Sequence, residues 1–495
     1  MHEIVRKPGV SSWRALRAVW LCAILISCVC GTRAQTTKPD AAAANSKEKV
    51  SLLIEGGTVV TMDASRRVIE DGAIAVRGDT IVAVGPRAEL EARYLPQQRV
   101  EAQGRLVMPG LINAHAHAAM TLLRGIANDV TLQDWLTNYI FPAEARNVTE
   151  PFVADGTRLG VLEMMQSGIT TYVDMYYFED SVASVTKDAG MRAILGETLI
   201  DFPAPDNKSV PQALAYTEKY LQHWKGDPLI TAAVAPHSIY IASEQTLRSA
   251  MELARRYNAP LVIHVAETKK ELDDSLAKNQ ATPVAYLDRI GFLGPDVIAA
   301  HCIWVNADDI RLLAEHHTGC VNNPSSNMLL ASGVMPVGAL EAGGVAVGLG
   351  TDGPAGSNND LDLMREMDLA AKLQKITKMD PRAMTAQHAI EMATIDGARA
   401  IHMDSEIGSL EPGKKADLIV LDLDAPHAVP LYNLYAQIVY SLQGSDVRTV
   451  VIGGRIVMLD RQALTLDQAE IVAAAKVWGM RVQKSMAAPP AGAHN

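Results

Sequence analysis

Cysteine is nearly absent from this 495-residue chain once its first 30 residues are set aside. Cys302 and Cys320 remain, too few for a disulfide framework, and both read as buried free thiols at strand ends. A basic surface is missing too: 45 Lys and Arg against 56 Asp and Glu give a formal charge of −11. With no basic cluster beyond the N-terminus, that balance argues against nonspecific nucleic-acid binding. No stable transmembrane span is expected either, since a bilayer takes about 20 apolar residues. The apolar run Ala18–Cys30 is shorter than that. It follows Arg6, Lys7, Arg14 and Arg17 and precedes Thr32-Arg33-Ala34, the pattern of a cleaved signal peptide over residues 1–34. This segment has no Arg-Arg pair, so the general secretory route into a bacterial periplasm is expected. Leu25-Ile26-Ser27-Cys28 also resembles a lipobox, which leaves lipoprotein anchoring through Cys28 as the alternative. Residues 35–50, polar and alanine-rich, read as a disordered tether.

What is present is a large apolar content, 48% of the chain, enough for an extensive core. Residues 51–108 are short alternating strands broken by turns such as Gly56-Gly57 and Arg77-Gly78-Asp79. Residues 406–460 repeat the style, and the two stretches are predicted to pair as one small β-sandwich. Between them, residues 109–405 alternate apolar strands with amphipathic helices such as Pro151–Ser167, Ser243–Tyr257 and Asn306–His316. Eight strands are predicted, ending near His117, Asp174, Glu197, Pro236, Glu267, His301, Asn323 and Asp352. The fold class is therefore α/β, a (β/α)8 TIM-type barrel carrying a small β-sandwich built from both chain ends. Residues 461–495 are read as a helix, to about Ser485, and a loose tail.

The chemistry lies at the strand ends, where this fold places its active sites. His115 and His117 stand two residues apart, and on a strand such a pair points to one side. His264 ends Val262-Ile263-His264 with Glu267 three residues on; His301 ends Val297–His301; Asp352 follows Val345–Gly350. A histidine on one apolar strand is more often a satisfied core residue than a ligand. Four such ends together suit a metal site, with His115, His117, His264 and Asp352 as ligands. Three imidazoles and a carboxylate fit one divalent transition metal per subunit, zinc first, with iron or nickel in the same geometry. A bound ion lowers the pKa of water towards neutrality. Asp352 is placed to accept the water proton, Glu267 to shuttle a proton to the substrate, and His301 to orient the attack. The plain alternative for Glu267 is a salt bridge to Lys269 or Lys270.

The run Pro109–His117, with His264–Glu267, His301 and Thr351-Asp352-Gly353, resembles the metal-dependent amidohydrolase superfamily. Further motifs narrow the resemblance to its methylthioadenosine / S-adenosylhomocysteine deaminases. These are Met120–Gly125, Trp135-Leu136, Ile140–Glu144, Ala235–Ser238, Asn323–Asn327 and Ser357–Asp362. The resemblance covers about Leu52 to Leu459. It implies hydrolytic deamination of an adenine-type ring, with ammonia as the leaving group. It also implies a dimer or other homo-oligomer, and substrate binding by Glu144, which reaches ribose hydroxyls, and by His237. Trp135 is expected to pack over the substrate, a core role being the alternative.

The chain departs from that pattern after the third strand. Deaminases for nucleosides with an amino-acid tail carry arginines there; this chain has Gly196-Glu197-Thr198 and Asp206-Asn207-Lys208-Ser209. Methylthioadenosine, adenosine or 5′-deoxyadenosine are thus expected ahead of S-adenosylhomocysteine. A third-strand glutamate such as Glu197 is a metal ligand in some amidohydrolases, an alternative disfavoured here because the His264/Glu267 pair belongs to the mononuclear deaminase pattern. The fourth strand, residues 229–236, has no lysine, which excludes a lysine-bridged two-metal site. The alternatives are another N-heterocycle (triazine, pterin or guanine type) or a silent exported binding protein. The complete ligand set with Glu267 argues against the last.

Overall fold

The structure, a computed structural model, describes residues 47–487. The stretches read as signal peptide, with Cys28, and as tether up to Ser46, and the tail beyond Ala487, lie outside the described residues.

Eight strands make the barrel: β1 (Leu111–Ala116), β2 (Ile169–Tyr176), β3 (Arg192–Leu199), β4 (Ile230–Pro236), β5 (Leu261–Val265), β6 (Val297–His301), β7 (Gly319–Asn322) and β8 (Val347–Leu349). They pair in chain order, each parallel to the one before. A parallel bridge between Ala116 and Asp352 brings the chain after β8 back to β1. Apart from one half-buried position in β4, every residue of these strands is buried. Strands covered on both faces need apolar side chains on both, which is why they read as continuous apolar runs.

The helices start where capping predicts. Thr149 and Ser243 accept from backbone N–H groups three residues on, and Asn306 forms a reciprocal capping box with Asp309. One boundary differs from expectation. The eighth strand stops at Leu349, three residues before Asp352, which takes φ +62°.

Both chain ends join in a nine-stranded mixed sheet. Its hinge is the antiparallel pairing of Leu106–Pro109 with Leu418–Leu421. Apolar clusters cover both sides of it, one around Leu52, Ile54 and Val107, another around Val50, Leu53 and Tyr94. Its first strand, Glu48–Val60, begins inside the stretch read as tether. Glu48–Val50 pair parallel with Tyr94–Pro96, and Val50 is buried, so ladder bonds and burial order these residues.

A buried ion pair ties barrel to sheet. Arg192, the first residue of β3, grips both carboxylate oxygens of Asp417 at 2.7 and 3.2 Å. The Gly453 N–H also donates to Asp417, at 2.6 Å. A C-terminal helix, Gln468–Ala487, packs against the helix Glu150–Gln166. Among the described residues no helix is long and apolar enough to cross a membrane.

Candidate active site

Metal-competent atoms of His115, His117, His264 and Asp352 lie within 4.8 Å of one another, and all four residues are buried. His117 Nε2 is 3.2 Å and His115 Nε2 3.5 Å from Asp352 Oδ1. The outward nitrogens are tied down. His117 Nδ1 meets the Met175 carbonyl at 2.6 Å, and His264 Nδ1 the His237 carbonyl at 2.8 Å. A carbonyl can only accept, so each ring carries a hydrogen on Nδ1 and turns Nε2 inward. Asp352 is held by the Ser326 hydroxyl at 2.6 Å and the Gly353 N–H at 2.7 Å.

A divalent metal fits these donors. Both nitrogens of His115 are buried without a hydrogen-bond partner, a costly arrangement unless something coordinates there. Burial lowers His115 to about 4 and pushes His264 well below the ordinary range, so both imidazoles are neutral and free to ligate. Burial also opposes protonation of His117, but the Asp352 carboxylate holds that ring up at about 9. Binding a cation would displace this proton.

Glu267 lies beside the cluster and outside the four-atom set. Its Oε2 is 4.0 Å from His301 Nε2, which lies equally far from Asp352 Oδ2. Burial, then the charge of Asp352, pushes Glu267 up to about 8. It therefore carries its proton near neutral pH, as a group delivering a proton must. The salt-bridge alternative fails: Lys269 pairs with Asp273 and Lys270 with Asp274. His301 is held at Nδ1 by Asn327 Oδ1, 3.1 Å away.

A pocket opens over the cluster. Trp135, Glu144 and His237 all line it, with Glu267, His301 and Asp352. The first two arrive on one segment. A short turn capped by Thr131 leads into a π-helical turn, Trp135–Ile140, and then the helix Phe141–Asn147. Such wide turns recur at functional sites. The Trp135 indole N–H is fixed on the Ala355 carbonyl at 2.9 Å. Glu144 is buried and accepts from the Tyr176 hydroxyl at 2.7 Å; burial pushes its carboxyl up to about 7.

Glu197 is in neither place. It is fully buried, accepts from the Glu179 N–H at 3.1 Å and from Asn207 at 3.4 Å, and contributes to neither the four-atom cluster nor the pocket wall. The disfavoured alternative of a third-strand metal ligand finds no support in this placement. Lys208 is spent on the carbonyls of its own loop, Ala204 and Pro205.

Four groups escaped the sequence reading: Tyr176, the Met175 carbonyl, Ser326 and Asn327. The last two belong to the Asn323–Asn327 run, whose polar density at a strand end was the available signal.

Fold and site together define a barrel hydrolase built round a site for a divalent metal. The chain belongs to the amidohydrolase family, whose pattern it matches over residues 106–457. It is 46% identical over 445 residues to 5-methylthioadenosine/S-adenosylhomocysteine deaminase 1 of Syntrophus aciditrophicus, covering 89% of this chain and 100% of that one. It is 47% identical to the corresponding deaminase of Syntrophobacter fumaroxidans, over 86% of this chain and 96% of the relative. Among solved structures it resembles an adenosine deaminase from Xanthomonas campestris with bound zinc, at a TM-score of 0.87 and 39% identity, covering 89% of this chain and 100% of that one.

Proposed function

We propose that this chain is a hydrolytic deaminase of adenine nucleosides whose 5′ position carries no charge. The observation that carries the reading is the presence in one pocket of two buried carboxyl groups on different elements. Glu267 stands beside the metal-competent cluster, and Glu144 is held by Tyr176. A divalent ion at His115, His117, His264 and Asp352 would supply Lewis-acid activation of water. Asp352 accepts the water proton, and His301 orients the group under attack. Glu267 gives its proton to the ring nitrogen next to the amino-bearing carbon; the proton taken by Asp352 then passes to the amino group, which leaves as ammonia, while the added hydroxyl becomes the carbonyl and returns a proton to Glu267. Glu144 accepts hydrogen bonds from the ribose diol, while Trp135 and His237 bound the substrate.

Charge sets the preference within the class. Among the described residues lining the pocket none is Lys or Arg, while Glu144, Glu267 and Asp352 are acidic and Met120, Leu132, Leu136 and Ile140 are apolar. A homocysteine carboxylate would find no cation there. Methylthioadenosine, adenosine and 5′-deoxyadenosine meet no such penalty. An ammonia-release assay on these nucleosides, S-adenosylhomocysteine, guanine and a triazine tests this. Turnover of the neutral adenine nucleosides is expected; a preference for guanine or the triazine would sink the reading.

Glu144→Gln checks the ribose contact. Above about pH 7, where Glu144 is ionised, hydrogen bonds to its charge are worth about 1.5–3 kcal/mol, so KM for ribosides is expected to rise roughly ten- to a hundred-fold there. KM for the free base should stay put, and an equal rise for both would remove Glu144 from ribose binding. In the same reading the ion is zinc, which the Xanthomonas relative holds. Residues 1–34 export the chain, and its working form is a homo-oligomer.

A further inference from the structure

Strand geometry alone sends His264 and Glu267 to opposite faces, because side chains three residues apart on a strand point apart. Both nonetheless line the same pocket. The reversal occurs at Ala266, just past β5, which takes φ +52° although it is not glycine. That left-handed conformation is unfavourable for any residue with a Cβ, so its surroundings must hold it.

Two grips do so. On the carbonyl side, Ala266 O accepts from the N–H groups of Ile303 and Trp304 at 3.1 and 2.9 Å. On the amide side stands Glu271. Its Oε1 accepts from Ala266 N at 3.0 Å and its Oε2 from Glu267 N at 2.7 Å. Glu271 is 4% exposed, in the first turn of the helix Lys269–Asn279. That helix already has its cap, for Thr268 Oγ1 accepts from Glu271 N at 3.1 Å. The Glu271 carboxylate instead reaches back past the cap to the turn between metal-competent strand and proton carrier.

We infer that Glu271 is a positioning residue, whose two carboxylate oxygens hold the Ala266–Glu267 turn and so aim Glu267 at the reacting atoms. The inference rests on the proposed proton-carrying role of Glu267. Two acceptors are needed because two N–H groups converge on the one side chain. Glutamine has one acceptor, and its NH2 would face a backbone donor.

The test is steady-state kinetics and metal content of the full chain, metal-loaded, in four variants: Glu271→Gln, Glu271→Asp, Glu271→Gln with Ala266→Gly, and Glu267→Gln. Misplacing a reacting group by about 1 Å costs up to a hundred-fold. Glu271→Gln is therefore expected to lose roughly ten- to a hundred-fold in kcat, with KM within about two-fold and the metal retained. Glu271→Asp keeps both acceptors on a shorter arm and should lose less. Ala266→Gly should restore part of the glutamine variant's loss, since glycine takes positive φ freely. A wild-type kcat in Glu271→Gln overturns the inference. So does a loss that tracks metal content, or one that Ala266→Gly leaves untouched. If Glu267→Gln is inactive while Glu271→Gln is normal, only the positioning role falls. If Glu267→Gln stays active, the reading of Glu267 falls first.

Discussion

Replacing Glu267 by glutamine is expected to lower kcat about a thousand-fold while leaving the metal in place, general acid–base groups being worth about 10²–10⁴. The exchange nearly preserves shape, so the buried pocket stays packed. Glu267 is outside the set of four ligand atoms, so binding of the ion does not depend on it. What changes is the proton. An amide can donate a hydrogen bond but cannot surrender a proton to a ring nitrogen or take one back. Metal content and single-turnover deamination measured on the same preparation check this. Activity near wild type would remove Glu267 from proton transfer; loss of metal would make it a ligand instead.

The largest stability effect is expected far from the chemistry, at Asp417. Breaking a buried ion pair by removing one partner costs about 3–5 kcal/mol, since the other charge stays buried and unpaired. The side chains of Arg192 and Asp417 are 4% and 3% exposed, and Asp417→Ala also strips the Gly453 N–H of its acceptor. Denaturant unfolding should show that loss. The kcat of the folded fraction should hold, because Arg192 opens β3 at the end of the barrel opposite the site. Well-packed apolar replacements at both positions should recover most of the stability, as pairs of this kind need not be net stabilising. A single-variant loss below about 1 kcal/mol would place the pair with exposed ion pairs in its contribution.

The barrel was legible because its strands are buried on both faces and end in unusual polar residues. His117, Pro236 and His301 mark strand ends to within a residue in the structure. The four metal-competent residues that the structure gathers were legible for the same reason. Trp135 and Glu144 came only from resemblance, since a π-helical turn running into a short helix leaves no periodic signal. The groups that aim the site were hidden in another way. Met175 acts through its carbonyl, which says nothing about side-chain type, and Ala266 acts through a positive φ imposed by Glu271, Ile303 and Trp304. Ser326 bonds Asp352 across the barrel mouth, a pairing set by tertiary structure alone. The role of Glu197 was not legible because its partners, the Glu179 N–H and Asn207, lie in a helix and a loop that the strand pattern does not describe.

The central claim is that a divalent ion held by His115, His117, His264 and Asp352 makes this chain a nucleoside deaminase. Ammonia release from methylthioadenosine by the purified protein, before and after chelation and again after adding back a divalent cation, tests it most directly. The account predicts one ion per chain, loss of activity on its removal and recovery on its return. Full deaminase activity from protein stripped of metal would contradict it.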